Sequence, residues 1–257
     1  MEFRPCIDIH NGKVKQIVGG SLRDEGDSAA ENFVAESSAA FYASLYRERG
    51  LKGGHVILLN PASSPFYEAT KAEALRALSA FPGGLMLGGG VNDENAAEFL
   101  EAGASHVIVT SFVFRDGRIH MDRLERLVRG VGKERLVLDL SCRRRDGKYF
   151  VVTNRWQSFT GEELCPALFS RLGECCSEFL VHASDVEGQR LGVDTEVLKI
   201  LSESEGVITY AGGIRSMEDI ELIRRFGEGR INFTVGSALS IFGGDLSMEE
   251  IIREYGE

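Results

Sequence analysis

Short apolar runs alternate along the chain with longer amphipathic ones. The short runs are Phe3–Ile9, His55–Leu59, Leu85–Leu87, His106–Val109, Leu136–Leu140, Glu178–His182, Val207–Ala211 and Ile231–Val235. Most are apolar on both faces, which suits strands of a parallel sheet covered by helices. Between them, Ala29–Arg49 carries Phe33, Ala40, Phe41 and Leu45 at helical spacing, and Glu68–Ala80 carries Ala72, Leu75 and Leu78. Asp93–Ala102 stops at Gly103, a C-terminal capping residue. Asp122–Arg129, Gly161–Leu172, Thr195–Ser202, Met217–Phe226 and Ser247–Tyr255 complete the helices. Ser216 before Met217, with Asp219 three residues on, reads as an N-cap followed by a carboxylate in the first turn. Strand-then-helix units repeated eight times predict an α/β fold, a closed (β/α)8 TIM barrel spanning residues 1–257 as a single domain. A doubly wound open sheet is the alternative.

One stretch breaks the alternation. Arg143–Thr153 places Asp146-Gly147 between a basic and an apolar run, which predicts a hairpin inserted after the fifth strand. Its Arg143–Arg145 triplet reads first as a solvated loop face and second as an anion contact.

The two halves of the chain resemble each other. LMLGGGVND (Leu85–Asp93) matches VITYAGGIRS (Val207–Ser216), with Gly89 against Gly213 (213 − 89 = 124). HVIVTS (His106–Ser111) matches NFTVGS (Asn232–Ser237), and HVILLN (His55–Asn60) matches FLVHAS (Phe179–Ser184), with Leu58 against His182. CIDI (Cys6–Ile9) matches VLDL (Val137–Leu140), with Asp8 against Asp139. Matches in the same order at nearly constant offset imply two (βα)4 half-barrels with a pseudo-twofold axis.

The candidate chemistry follows that axis. Asp8 and Asp139 end the first and fifth strands, which lie opposite each other in an eight-stranded barrel, at the face where barrel enzymes carry their sites. Two carboxylates across such a mouth can serve as general acid and general base. Read singly, each is equally well a loop-capping aspartate. Gly212 and Gly213 after strand seven, with Gly236 and Ser237 after strand eight, bring backbone N–H groups toward a phosphate. Gly88, Gly89 and Gly90 with Thr110 and Ser111 form the matching set in the other half. Each set alone reads also as a tight turn; the related pair predicts a small-molecule substrate with a phosphate at each end. Trp156, the single tryptophan, is placed to stack on a flat heterocycle or to pack. His182 and Ser184 at the end of strand six complete the candidate contacts.

Composition narrows the classes. The net charge of −10 argues against a nucleic-acid partner held by a broad basic surface, and it requires local devices for any anionic substrate. The five cysteines and five histidines have no metal-ligand spacing, so no metal and no cofactor is expected and the thiols read as reduced. No apolar run approaches a membrane span, and no leader is visible ahead of the first strand; a cytoplasmic monomer is expected.

FRPCIDIHNGKVKQIVGGSL, LGGGVND, VLDL, FLVHASDVEG, YAGGIRS and FTVGSAL resemble the phosphoribosylformimino-5-aminoimidazole carboxamide ribotide isomerases of histidine biosynthesis, from Phe3 to about Phe242, and most of all the branch found in fungi and plants. The resemblance implies an Amadori rearrangement of a bisphosphate aminoaldose, with Asp8 as base and Asp139 as acid. The chain departs from bacterial members by having Ala183 and Ser184 where they carry a threonine after the strand-six histidine, and by the longer loop after strand five. Two rivals are weighed against it. The cyclase of imidazole glycerol phosphate synthase shares the fold and the two aspartates but opens CLDV rather than CIDI. The other is a noncatalytic phosphosugar-binding barrel.

Overall fold

The computed structural model describes residues 1–17, 21, 29–186 and 191–256. Residues 18–20, 22 and 187–188 of the resemblance motifs lie outside these. The barrel strands are β1 (Cys6–His10), β2 (Gly54–Leu58), β3 (Leu85–Gly88), β4 (Val107–Val109), β5 (Leu136–Asp139), β6 (Glu178–His182), β7 (Val207–Ala211) and β8 (Ile231–Phe233). They neighbour one another in chain order and all pair parallel. The seam between the last and the first closes just ahead of β1. Phe3 bridges Phe233, the Arg4 N–H donates to the Phe233 carbonyl at 2.8 Å, and the Phe233 N–H donates to the Glu2 carbonyl at 3.1 Å. Pro5 has no N–H to give, which is why the predicted strand from Phe3 begins its continuous ladder only at Cys6.

Helices α1 (Ala39–Glu48), α2 (Tyr67–Ala80), α3 (Ala96–Glu101), α4 (Met121–Val131), α5 (Pro166–Gly173), α6 (Thr195–Ser202), α7 (Met217–Phe226) and α8 (Met248–Tyr255) follow the strands in turn. Alternation along each strand divides the apolar residues between two cores. Ile7, Ile9, Val56, Leu58, Leu85, Leu87, Leu136, Leu138, Phe179 and Val181 join the helices in the larger core. Met86, Ile108, Val137 and Leu180, with Ile57, form a separate cluster that fills the barrel interior. Both faces are apolar because both are buried, as the strand runs predicted.

Two helices begin five or more residues later than their periodicity predicts, and the one read from Asp93 begins at Ala96. In the stretch read as helix from Ala29, Glu31–Val34 is instead a strand paired antiparallel with Lys13–Ile17, which in turn pairs with β1. α1 starts only after Ser38, whose hydroxyl accepts the Phe41 N–H. Likewise Ser158–Glu163 is the third strand of a sheet with Cys142–Arg145 and Lys148–Thr153, and α5 waits for Pro166 at its first position. Cys165 before that proline is extended (φ −153°, ψ 161°), the conformation a following proline ring imposes. The hairpin predicted after strand five is present, with Asp146 (φ 52°) and Gly147 (φ 79°) at its turn.

The repeat holds in strand order, but two residue matches slip. Asp8 is in register with Ile57, and Asp139 with Leu180, so Ile57 is the counterpart of Leu180 and Leu59 that of His182. The sequence match had set Leu58 against His182. A shift of one residue exchanges the faces of a strand, and Leu58 belongs to the outer core whereas His182 turns into the barrel mouth. Ile57 in turn pairs with Gly88 and Leu180 with Thr209, so Gly89 is not in the register position of Gly213.

Candidate functional site

Asp8 stands two residues beyond Cys6 on the inward face of β1, and Asp139 ends β5. Both line one cavity of about 370 Å³ at the C-terminal ends of the strands. Gly89, Gly90, Thr110, Ser111, Trp156 and His182 share its walls. Asp8 and His182 also border a recess of about 30 Å³ lined by Gly212, Gly213, Gly236 and Ser237. The two aspartates therefore meet Gly89 and Gly90 on one side and Gly212, Gly213 and Gly236 on the other, around cavities that share Asp8 and His182.

Asp139 is the better described of the two acids. Its Oδ1 accepts the Ser141 N–H at 2.8 Å and the Ser141 hydroxyl at 2.6 Å, and His182 Nδ1 lies 3.7 Å away. Burial pushes its pKa up, but the His182 ring and the Ser141 donors outweigh burial and hold the carboxyl below its usual value. His182 is braced on two sides, by Trp156 at 5.7 Å between ring centroids and by His55 edge-on at 6.2 Å.

His55 sits deeper, almost fully buried. Desolvation, followed by the neighbouring His182, lowers its pKa from 6.5 to about 3. Its imidazole is thus neutral when folded, while the unfolded chain takes up a proton below pH 6.5. The folded pKa lies under the unfolded one, so this stabilisation is complete above pH 6.5 and is lost as pH falls toward 3. The group should add a slope of about 1.4 kcal/mol per pH unit in that window. Urea midpoints from pH 6.5 down to 4.5 should fall less steeply in His55→Asn; equal slopes in the two proteins would exclude this origin.

The glycine positions are set by backbone contact. Gly89 (φ +99°) and Gly213 (φ +74°) both adopt left-handed backbone. A Cβ would stand 2.1 Å from the Leu58 carbonyl oxygen at the first and 2.1 Å from the Gly192 carbonyl oxygen at the second. Gly88 lines neither cavity; it packs between Ile57 and Ile108, where a Cβ would meet side chains at 2.8 and 3.1 Å. Ser184 lines neither cavity as well. Its hydroxyl donates to the Cys142 carbonyl at 2.9 Å, tying the end of β6 to the inserted hairpin. The segment after Gly236 is a turn leading to a short 3-10 helix at Ser240–Phe242, so no α-helix start faces the recess from strand eight.

The loop after β5 closes one side. Arg143 Nε pairs with Asp185 Oδ1 at 2.8 Å, and Arg145 stacks over Phe150 and Phe159 at 4.5 and 4.8 Å. The Arg143 and Arg145 side chains are thus engaged within the fold, while Arg144 is exposed and its backbone N–H donates to Asp185 at 2.8 Å. Asn154, Arg155 and Trp156 follow with three successive positive φ values (53°, 53° and 64°), and the Asn154 N–H donates to the Ser111 hydroxyl at 3.4 Å. Arg155 lines the larger cavity and is its one Lys or Arg among the described residues, the local cation that a chain of charge −10 needs for an anion. Arg155 was not anticipated, though its place beside Trp156 was a usable signal. Ser141, His55 and Thr234 were missed too; Thr234 lines the recess and shares the inward parity of Gly236. Among the described residues no group of three or more His, Cys, Asp or Glu is arranged to hold a metal ion, and no helix is long and apolar enough to cross a membrane.

The family model described as histidine biosynthesis protein matches residues 2–246. A relative from Medicago truncatula, named 1-(5-phosphoribosyl)-5-((5-phosphoribosylamino)methylideneamino)imidazole-4-carboxamide isomerase, chloroplastic, is 51% identical over 100% of this chain and 82% of its own length. Isomerases of the same printed name from Neurospora crassa and Saccharomyces cerevisiae are 45% and 42% identical, covering 98% and 95% of this chain and 97% and 94% of their own. With a barrel built from two like halves, a paired-aspartate mouth and these matches along nearly its whole length, the chain belongs to the histidine biosynthesis protein family.

Proposed function

We propose that the protein is an isomerase that converts a phosphoribosylformimino aminoaldose into the corresponding aminoketose by an Amadori rearrangement. The observation that carries this reading is the placement of Asp8 and Asp139 on one cavity bounded by two glycine-built ends. The relatives' printed names add the substrate class. Asp139 donates a proton to the ring oxygen of the aminoaldose as the C1–O bond breaks and the nitrogen lone pair forms a C=N⁺ bond. The Asp8 carboxylate then removes the proton from C2, giving an enolamine. Protonation at C1 and loss of the C2 hydroxyl proton yield the aminoketose, with no net gain or loss of atoms. In the free site Asp139 is held as the anion, so it acquires its proton once bound substrate excludes water from the mouth.

The recess at Gly213 and Gly236 suits one phosphate-bearing end. The larger cavity, with Trp156 for a flat ring and Arg155 for charge, suits the imidazole carboxamide ribotide end. The test is to give the purified protein the aminoaldose without ammonia. The aminoketose should form; a protein inert until ammonia and ketose are both supplied would be a cyclase instead.

A further inference from the structure

Four threonines are buried to about 95% or more, and three of them place their hydroxyls on protein partners. Thr70 donates to Asn60 Oδ1 at 2.7 Å, Thr160 to the Val151 carbonyl at 2.8 Å, and Thr209 to Glu178 Oε1 at 2.9 Å. Thr234 is the exception. It is 5% exposed, and its hydroxyl has no hydrogen-bond partner. A buried hydroxyl without a partner is destabilising, and valine would fill the same β-branched shape in an extended segment at no such cost.

The position explains the hydroxyl. The Thr234 N–H donates to the Tyr210 carbonyl at 3.0 Å, which extends the ladder of β7 and β8. Phe233 and Val235 on either side belong to the outer core, so Thr234 faces inward with Gly236. It lines the recess together with Asp8, Gly213 and Gly236.

We infer that the Thr234 hydroxyl is a substrate-binding group, hydrogen-bonded to an oxygen of the sugar-phosphate end seated against Gly213 and Gly236. The inference rests on the reading of the recess as a sugar-phosphate anchor. It adds a side-chain contact below the backbone cradle, between the phosphate-bearing end and the Asp8 carboxylate.

The test compares Thr234→Val and Thr234→Ser with the unaltered full chain. The readouts are KM and kcat for the aminoaldose, and the rise in Tm produced by inorganic phosphate. Thr234→Val should leave the Tm of the free protein unchanged or raised, because a partnerless hydroxyl is removed. It should raise KM about tenfold, with a smaller change in kcat, and shrink the phosphate-induced shift. Thr234→Ser should restore most of both. Unchanged KM together with an undiminished phosphate shift in Thr234→Val would overturn the inference. So would a fall in the free-protein Tm with ligand binding intact, which marks a purely structural hydroxyl. If the unaltered protein neither turns over the aminoaldose nor gains stability from phosphate, the anchor reading itself fails and this contact falls with it.

Discussion

Asp8→Asn and Asp139→Asn should each lower turnover at least about 10²-fold, or roughly 2.7 kcal/mol in barrier, while the barrel stays folded. Asparagine keeps the size and one oxygen acceptor of each side chain but neither takes nor gives a proton at the needed point. At Asp139 the retained oxygen can still accept the Ser141 N–H and hydroxyl, so the strand end keeps its local hydrogen bonds. At Asp8 the register with Ile57 is a backbone property and does not depend on the carboxylate. The fold should therefore survive both changes, and unfolding midpoints should stay close to that of the unaltered protein. Because the two groups serve one reaction sequence, the double variant should be little worse than the poorer single one. Steady-state rates on the aminoaldose, read beside urea midpoints, separate lost chemistry from lost structure. Turnover within a few-fold of the unaltered protein in either variant would remove that aspartate from the mechanism.

The sequence made β6, β7, α6 and α7 legible to the residue because their signals are local. Ser216 caps α7 by accepting the Asp219 N–H, and Asp194 caps α6 by accepting the N–H groups of Glu196 and Val197. Elements that depend on a distant partner were harder. Phe33 lies at helical spacing with later residues, yet it packs its ring at 5.7 Å from Phe242, and its segment becomes a strand only because Lys13–Ile17 lies alongside. The Asn11-Gly12 turn between β1 and that strand carried a strong hairpin signal that went unread; both residues have positive φ. The paired aspartates and glycines were legible because duplication wrote each of them twice. Arg155 and Thr234 have no such counterpart, and their importance rests on which way the chain turns them. Ser184 shows the converse: a polar residue at a strand end, beside the chemistry in sequence, whose hydroxyl is taken by the Cys142 carbonyl.

At the opposite end of the barrel, Arg4→Met should destabilise the protein by about 3–5 kcal/mol without altering the site. The Arg4 and Glu178 side chains are only 11% and 8% exposed, and Nη1 of the arginine is bonded to Glu178 Oε1. Nη1 also reaches Thr209 Oγ1 at 3.2 Å, Nε and Nη2 both reach Glu2 Oε2 at 3.1 Å, and the Thr209 hydroxyl donates to Glu178. The network thus joins β6 and β7 to the residues that close the seam, where the Arg4 N–H also bonds the Phe233 carbonyl. Removing the guanidinium leaves the Glu178 carboxylate buried with one hydroxyl donor, and the cost of that unpaired charge exceeds what the ion pair itself contributes. Replacing both residues, as Arg4→Met with Glu178→Leu, should therefore recover much of the loss, since an apolar pair of similar volume needs no desolvation of charge. Urea unfolding of the two single variants and the double one reads this directly. A single-variant loss below about 1 kcal/mol would show that the pair is dispensable. A double variant no better than Arg4→Met would show that the charges themselves close the barrel floor. In both proteins kcat at a permissive temperature should match that of the unaltered chain, because the side chains concerned lie at the strand ends away from Asp8 and Asp139.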